Sequence, residues 1–209
     1  TEANSNGNWT EDFTDTTDIT PESYGYLYQY DLEGNYTVIY WYQPDPVIRA
    51  NLSNDSIFGD RWPAFVEVSI SVDGVTLGTE TSDSYGSFNI YLDDDLVVGQ
   101  EIVITSPEYS TITYTTQAIA FEGYDITEDT VWGTAEAGTV FVQACYVDGG
   151  YLMCYQLDST VTSGAWLVDF TGTFDLVPGS DGSAFIYDEN DNSTEVSWFI
   201  PNPKFSVYL

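Results

Sequence analysis

The stretch Val66-Glu-Val-Ser-Ile-Ser-Val72-Asp73-Gly74 alternates apolar and polar side chains and then turns. Alternation with period two places valine and isoleucine on one face of a strand and serine on the other. Asp73-Gly74 is a tight-turn dipeptide, so the stretch reads as the first arm of a β-hairpin. The same order of features returns later in the chain. Val66–Val72 is echoed by Val140-Phe-Val142, and Asp73-Gly74 by Asp148-Gly149. Tyr85-Gly-Ser-Phe-Asn-Ile-Tyr91 is echoed by Ser163-Gly-Ala-Trp-Leu-Val-Asp-Phe170, and Leu96-Val-Val-Gly99 by Leu176-Val-Pro-Gly179. Ile102-Val-Ile104 and Ile112-Thr-Tyr114 have counterparts in Ala184-Phe-Ile186 and Val196-Ser-Trp198. The offset grows from 75 residues (Asp73 to Asp148) through 78 (Phe88 to Trp166) to 80 (Gly99 to Gly179), so the second copy gained its length in loops. A degenerate repeat of short alternating strands between Gly, Asp and Asn turns predicts two tandem immunoglobulin-like antiparallel β-sandwich modules.

Working outward, the expected order is a polar N-terminal arm over 1–22, a tyrosine-rich hairpin and loop over 23–62, module 1 over 63–122 and module 2 over 123–209. The arm has Trp9, Phe13 and Ile19 as its apolar anchors. Alone it buries too little to order itself, so it is a disordered tail or orders on a neighbour. In the hairpin, Tyr24, Tyr26, Tyr28 and Tyr30 alternate and share one strand face. A three-residue loop, Leu32-Glu33-Gly34, sets Tyr30 opposite Tyr36, Tyr28 opposite Val38, Tyr26 opposite Tyr40 and Tyr24 opposite Tyr42. Leu27, Ile39 and Trp41 then fall on the second face. Residues 43–62 hold Pro44, Pro46 and Asn-Asp-Ser clusters and read as a loop or linker.

Charge bounds the function. Thirty-four acidic residues face three basic ones with no histidine, a formal net charge of -31. Such a surface attracts cations, rejects nucleic acid and anionic lipid, and makes copies repel one another in dilute buffer. Without histidine there is no Ser-His-Asp triad and no imidazole metal site, and no glycine-rich phosphate loop occurs. Paired carboxylates for glycoside hydrolysis are available among so many acids, but surface solvation accounts for them, and the expectation is a non-enzyme with no cofactor. Calcium is the one ligand with a candidate loop: Asp188-Glu-Asn190-Asp-Asn192 has alternate-oxygen spacing with Glu195 nearby, and Asp93-Asp94-Asp95 is a second acidic cluster. A polar hairpin turn is the competing reading of both.

Cys145 and Cys154 flank the turn signal Val147-Asp148-Gly149-Gly150. They either staple the two arms of one hairpin, which suits an oxidising compartment, or are two buried thiols. Five sequons stand at Asn8, Asn35, Asn51, Asn54 and Asn192. They mark a glycosylated surface protein, or follow from a chain rich in polar turns. The chain opens at Thr1 without methionine or apolar leader, which a cleaved signal peptide or a trimmed end explains. No run is long and apolar enough to span a membrane, so none is expected to insert as a helix.

The stretch Val66 to Ile119 resembles the carboxypeptidase-regulatory-like and other bacterial immunoglobulin-like modules of secreted surface proteins. The residues carrying the resemblance are Val72-Asp73-Gly74, Thr81-Ser-Asp-Ser-Tyr-Gly86-Ser-Phe88 and Leu96-Val-Val-Gly99. Trp132-Gly-Thr-Ala-Glu-Ala-Gly138-Thr-Val140 is similar to the opening strand of another such module, and Gly164-Ala-Trp166 with Phe174-Asp-Leu-Val-Pro-Gly179 continues it. The resemblance implies a sandwich fold and a surface role and transfers no catalytic residue. Related pilus modules use a lysine and a sorting signal. Here the lysine is Lys204 and no sorting signal is present, so polymerisation of that type is not expected. The reading is an extracellular structural subunit of a filament or surface layer whose partners are copies of itself, joined by strand addition. The alternative is a carbohydrate-binding or adhesive module for surface glycans. The tyrosine face (Tyr24, Tyr26, Tyr28, Tyr30, Tyr36, Tyr40 and Tyr42) would serve assembly or sugar stacking, or is ordinary half-buried sandwich surface.

Overall fold

The computed structural model describes residues 9–13, 19–20, 23–107 and 109–203, with the side chain of Asp148 left aside. The chain divides into two compact units, Thr1–Asp45 and Pro46–Leu209. Every described element is a strand.

Among the described residues the first unit contains one hairpin, β1 (Tyr24–Tyr30) and β2 (Tyr36–Tyr42). Pairing is antiparallel with Tyr30 opposite Tyr36, Tyr28 opposite Val38, Tyr26 opposite Tyr40 and Tyr24 opposite Tyr42, the register of a three-residue loop. The loop closes with Asp31 N–H donating to the Asn35 carbonyl at 2.9 Å and Gly34 N–H to the Asp31 carbonyl at 3.2 Å. Gly34 sits at φ 87°, where a side chain would be strained.

Among the described residues the second unit contains fourteen strands in two sets of seven. The first set is β3 (Val47–Asn51), β4 (Ser56–Asp60), β5 (Glu67–Val72), β6 (Val75–Thr81), β7 (Phe88–Tyr91), β8 (Glu101–Thr105) and β9 (Thr111–Thr115). The second is β10 (Ile119–Asp125), β11 (Thr130–Ala135), β12 (Thr139–Asp148), β13 (Tyr151–Thr160), β14 (Ala165–Asp169), β15 (Asp181–Tyr187) and β16 (Ser193–Phe199). Each set folds as three strands against four with one topology: β3-β4-β7 with β6-β5-β8-β9, and β10-β11-β14 with β13-β12-β15-β16. The alternating residues do what their period requires. Val68, Ile70 and Val72 of β5 are buried with Ile102 and Ile104 of β8, and Val140, Val142 and Ala144 of β12 are buried with Ala184 and Ile186 of β15. Each sandwich has its own core. One gathers Ile48, Ile57, Trp62 and Phe88, and the other Val131, Trp166, Phe170 and Trp198.

The internal repeat is written into the hydrogen bonds as well as the strands. Asp55 (φ 51°) accepts from Leu92 N–H through its carbonyl at 2.8 Å and from Leu96 N–H through Oδ1 at 2.9 Å. Asp129 (φ 51°) does the same for Phe170 at 2.8 Å and Leu176 at 3.0 Å. In each sandwich this aspartate ties the corner before the second strand to the loop after the fifth.

Two expectations need correction. Strands β3 and β4 lie within the stretch 43–62 read as irregular, so the first sandwich begins at Val47 rather than Pro63. The Asn-Asp-Ser cluster is only the turn between two five-residue strands, and Pro44 and Pro46 precede them without interrupting them. Nor is the body purely antiparallel. β16 pairs in parallel with β3 (Ser193 with Arg49, Thr194 with Ala50, Glu195 with Asn51), fusing β13-β12-β15-β16-β3-β4-β7 into one seven-stranded sheet. Buried side chains reinforce the seam. Thr194 Oγ1 lies 2.6 Å from Tyr114 Oη and accepts from Gln117 N–H at 2.7 Å, and Asn192 Oδ1 accepts from Ile48 N–H at 2.8 Å.

Glycines facing aromatics recur through both units. Gly25, Gly59, Gly123, Gly133 and Gly182 stand directly opposite Trp41, Phe88, Trp132, Trp166 and Trp198 on neighbouring strands. In each pair the ring lies over the glycine, where an added Cβ would overlap it. The ring covers backbone that glycine leaves bare and gains a close-packed partner.

Candidate assembly surface

Seven tyrosines project from one face of the β1–β2 hairpin, between 50% (Tyr28, Tyr42) and 71% (Tyr24) exposed. The strand period puts them there, and the three-residue loop brings the rows into register. The rings of Tyr24, Tyr26, Tyr28, Tyr30, Tyr36 and Tyr40 form a connected set: Tyr24–Tyr26 edge-on at 6.3 Å, Tyr26–Tyr28 tilted at 6.4 Å, Tyr26–Tyr40 edge-on at 5.0 Å, Tyr28–Tyr36 edge-on at 5.6 Å, Tyr30–Tyr36 tilted at 5.8 Å, and Tyr28–Tyr30 stacked at 6.3 Å. Cross-strand aromatic contacts of this kind fix the rings in place and hold the hairpin together. Within its own unit the face is exposed aromatic surface.

The opposite face carries Leu27, Ile39 and Trp41. Trp9, Phe13 and Ile19 of the described arm segments line an open groove with them. Tyr26, Tyr28 and Tyr30 of β1 line the same groove, so the arm's apolar anchors lie beside their own hairpin, a neighbour the sequence reading did not assign.

Asp31 governs the loop. Its Oδ1 accepts from Glu33 N–H and Asn35 N–H, each at 2.9 Å, and Oδ2 accepts from the Asn35 amide at 2.8 Å. These bonds, the Asn35 side chain first, hold its carboxyl below the ordinary range. The candidate calcium loop has the same construction. Asp188 Oδ1 accepts from Asn190 N–H at 2.8 Å and Asn192 N–H at 2.9 Å, and Oδ2 accepts from the Asn192 amide at 3.0 Å. Asp191 occupies the positive-φ place (63°) that Gly34 fills in the hairpin. Asp83-Ser-Tyr-Gly86-Ser87 is a third loop of this kind, with Asp83 Oδ1 accepting from Tyr85 N–H and Ser87 N–H. The Asp188 carboxylate and the Asn192 side chain are thus engaged in an aspartate-capped turn and the seam beside it. Asp93, Asp94 and Asp95 are all exposed. Among the described residues no group of three or more acidic or cysteine side chains is gathered to hold a metal ion.

Of the sequon asparagines, Asn8 lies outside the described residues. Asn35 and Asn54 are exposed, and Asn51 is half-buried on β3, its amide donating to Ser197 Oγ at 3.0 Å. Asn192 needs correction as a glycan acceptor. It is 1% exposed, with its oxygen on Ile48 and its nitrogen on Asp188, so the folded seam has no room for a sugar.

Cys145 and Cys154 are directly opposed across β12 and β13 and form a disulfide. Their hairpin outruns its sheet. The pairing of β12 with β15 stops at Cys145, while its pairing with β13 continues to Asp148 and Tyr151. Val147, Tyr151, Leu152, Met153 and Tyr155 are exposed there. The sequence reading did not single out these residues. Its available signal was the run Gly149–Leu157, nine residues without a charge in a strongly acidic chain.

No family model matches this chain, and no curated protein does. Solved structures with partial similarity include the BSP domain of a biofilm-associated protein (14% identity, TM-score 0.29, covering 77% of this chain and 30% of that one). A pullulanase from Anoxybacillus sp. LM18-11 gives 12% identity and a TM-score of 0.27 over 78% of this chain and 29% of its own. A bacterial ice-binding adhesin gives 14% and 0.28 over 85% and 73%. The chain spans under a third of the first two. Scores this low assign no function. What fold and site define is a class: an acidic tandem β-sandwich protein with a separate aromatic hairpin unit.

Proposed function

We propose that the chain is a structural subunit of an extracellular filament or surface layer, in which the N-terminal unit of one copy adds to a sheet edge of the next. The observation that carries this reading is the hairpin. It is a two-stranded sheet with no third strand among the described residues, and such a sheet is at best marginally stable alone. It exposes seven tyrosines on one face. Adding to a neighbour's sheet would supply further main-chain hydrogen bonds. Seven rings exposed to this extent offer roughly 800 Å², about what each partner buries in a stable interface. The fused two-sandwich body suits a load-bearing unit, since β16 and β3 hold the modules in one sheet. The disulfide fits an oxidising, extracellular setting. The remaining acidic surface would then limit lateral clumping.

Electron microscopy of the purified full chain at physiological salt tests the proposal, beside a chain beginning at Pro46. The shorter chain retains both hydrophobic cores. Filaments or sheets from the full chain alone are the expected result. Dispersed particles from the full chain across salt and calcium concentrations would refute it. The second reading, a platform for glycans, draws on the parallel rings of Tyr28 and Tyr30. It would take precedence if the full chain stayed monomeric and bound a glycan array.

A further inference from the structure

Among the described residues of Pro46–Leu209, six strands end a sheet: β6, β7, β9, β10, β13 and β14. Charge and length separate them. β6 carries Glu80, β10 carries Glu122 and Asp125, and β14 carries Asp169, while β7 and β9 run only four and five residues. β13 is ten residues long, and its first seven, Tyr151–Leu157, have neither charge nor proline. Tyr151 is 77% and Leu152 66% exposed. Soluble proteins usually blunt such an edge with lysine, proline or a bulge. Here the hairpin is instead held by the Cys145–Cys154 disulfide beyond the end of its sheet.

We propose that the Tyr151–Leu157 edge of β13 is the acceptor for the tyrosine hairpin of a second copy, which adds to it as a further strand. This rests on the strand-addition reading above and names its second surface. Charge argues for this occupant. In a chain of net charge -31, most contacts between copies bring acid against acid. Tyr24–Tyr30 and Tyr36–Tyr42 carry no charged residue, and neither does Tyr151–Leu157, so these patches meet without that cost. Their lengths agree at seven residues each. Tyr151, Met153 and Tyr155 alternate along one face of β13 and would continue the tyrosine rows as cross-strand partners. Main-chain parity adds the hydrogen bonds. The 4.1 Å Cα separation of Cys145 and Cys154 marks a non-hydrogen-bonded pair. The N–H and C=O groups of Leu152, Cys154 and Gln156 therefore point away from β12, toward the open edge. Because donor and acceptor are different patches, the contact is head-to-tail and builds an open chain of copies.

The test uses the full-length protein. Gln156→Pro removes one outward N–H and leaves the β12–β13 ladder paired, since proline is tolerated where its nitrogen faces solvent. Leu152→Glu is the companion variant, placing a carboxylate at the edge without touching the main chain. Both are expected to keep the parent's melting temperature and intact disulfide and to lose polymer at least tenfold by sedimentation and microscopy. A photo-crosslinker at position 152, in a mixture of isotopically distinct copies digested at acidic residues, is expected to join that site to the Tyr24–Tyr42 region of another copy. Crosslinks to Tyr151–Leu157 of another copy would mean β13 pairs with itself and would overturn the proposal. Full polymer from both folded variants would also overturn it, while leaving strand addition through another edge intact. Polymer from the chain beginning at Pro46 would instead bring down the strand-addition reading beneath it.

Discussion

Replacing Thr194 by valine removes one hydroxyl from the seam between the sandwiches while keeping the side chain's shape. Thr194 is fully buried, and its Oγ1 serves two groups from the first sandwich and its connector: the Tyr114 hydroxyl at 2.6 Å and Gln117 N–H at 2.7 Å. Tyr114 keeps a weak contact with Gln117 Nε2 at 3.4 Å, but the Gln117 side chain donates there, so the phenol proton is left without an acceptor. A buried polar group stripped of its partner costs about 1–3 kcal/mol. Two such groups, offset by about 0.8 kcal/mol for the added buried carbon, give an expected loss of about 1–5 kcal/mol. In a domain of this size that lowers the melting temperature by about 2–20 °C. Urea unfolding followed by tryptophan fluorescence, with calorimetry alongside, measures it. Thr194→Ser keeps the hydroxyl and should stay within about 1 kcal/mol of the parent, since it loses one methyl group. A valine variant within 0.5 kcal/mol of the parent, about the ordinary surface-substitution range, would refute the account of the seam as a hydrogen-bonded lock.

Gly133→Ala is expected to destabilise by about 3 kcal/mol or more, because the new Cβ would overlap the Ala120 carbonyl and the Trp166 ring; the same urea titration reads it. Reducing the disulfide closing the β12–β13 loop should cost about 2–3 kcal/mol and loosen Tyr146 and Tyr155 from Phe174, visible in near-ultraviolet circular dichroism. Burial raises the Tyr114 phenol above its ordinary 10.0. Between that value and the raised one the unfolded chain holds fewer protons, so stability should fall as pH rises past 10; alkaline melts of the parent and Tyr114→Phe, which should lack this component, test the sign. The Asp31 carboxyl is lowered from 3.8. Its contribution to the hairpin loop is therefore present above pH 3.8 and lost as pH falls through the lowered value, which the tyrosine dichroism of the hairpin should follow and Asp31→Asn should abolish.

Much of the architecture was legible from residue order because it depends on local periodicity and turn chemistry. Alternation in Val66–Val72 fixes which side chains can face a core. The echo of Asp73-Gly74 in Asp148-Gly149 marks a duplicated hairpin. The three-residue loop between Asp31 and Asn35 is enough to determine the tyrosine register. The misreading of 47–62 has a particular cause. Asp55-Ser-Ile-Phe-Gly59 repeats in Asp129-Thr-Val-Trp-Gly133, but five-residue strands carry too little alternation to outweigh two prolines and an Asn-Asp-Ser turn. The spacing of 188–192 suits two readings in sequence, because an aspartate-capped turn and a calcium loop both use closely spaced side-chain oxygens. The structure adds the turn's hydrogen bonds from Asn190 and Asn192 to Asp188.

Sequence by itself determined the strand class, the duplication, the aromatic hairpin and the acidity, each a property of neighbours along the chain. Tertiary structure alone decided that the two sandwiches share a sheet. It also buried Asn192 in their seam and left β13 at a free edge. Those outcomes depend on which distant strands lie side by side. The parallel junction of β16 with β3 joins residues well over a hundred positions apart, held by hydrogen bonds that no local pattern specifies.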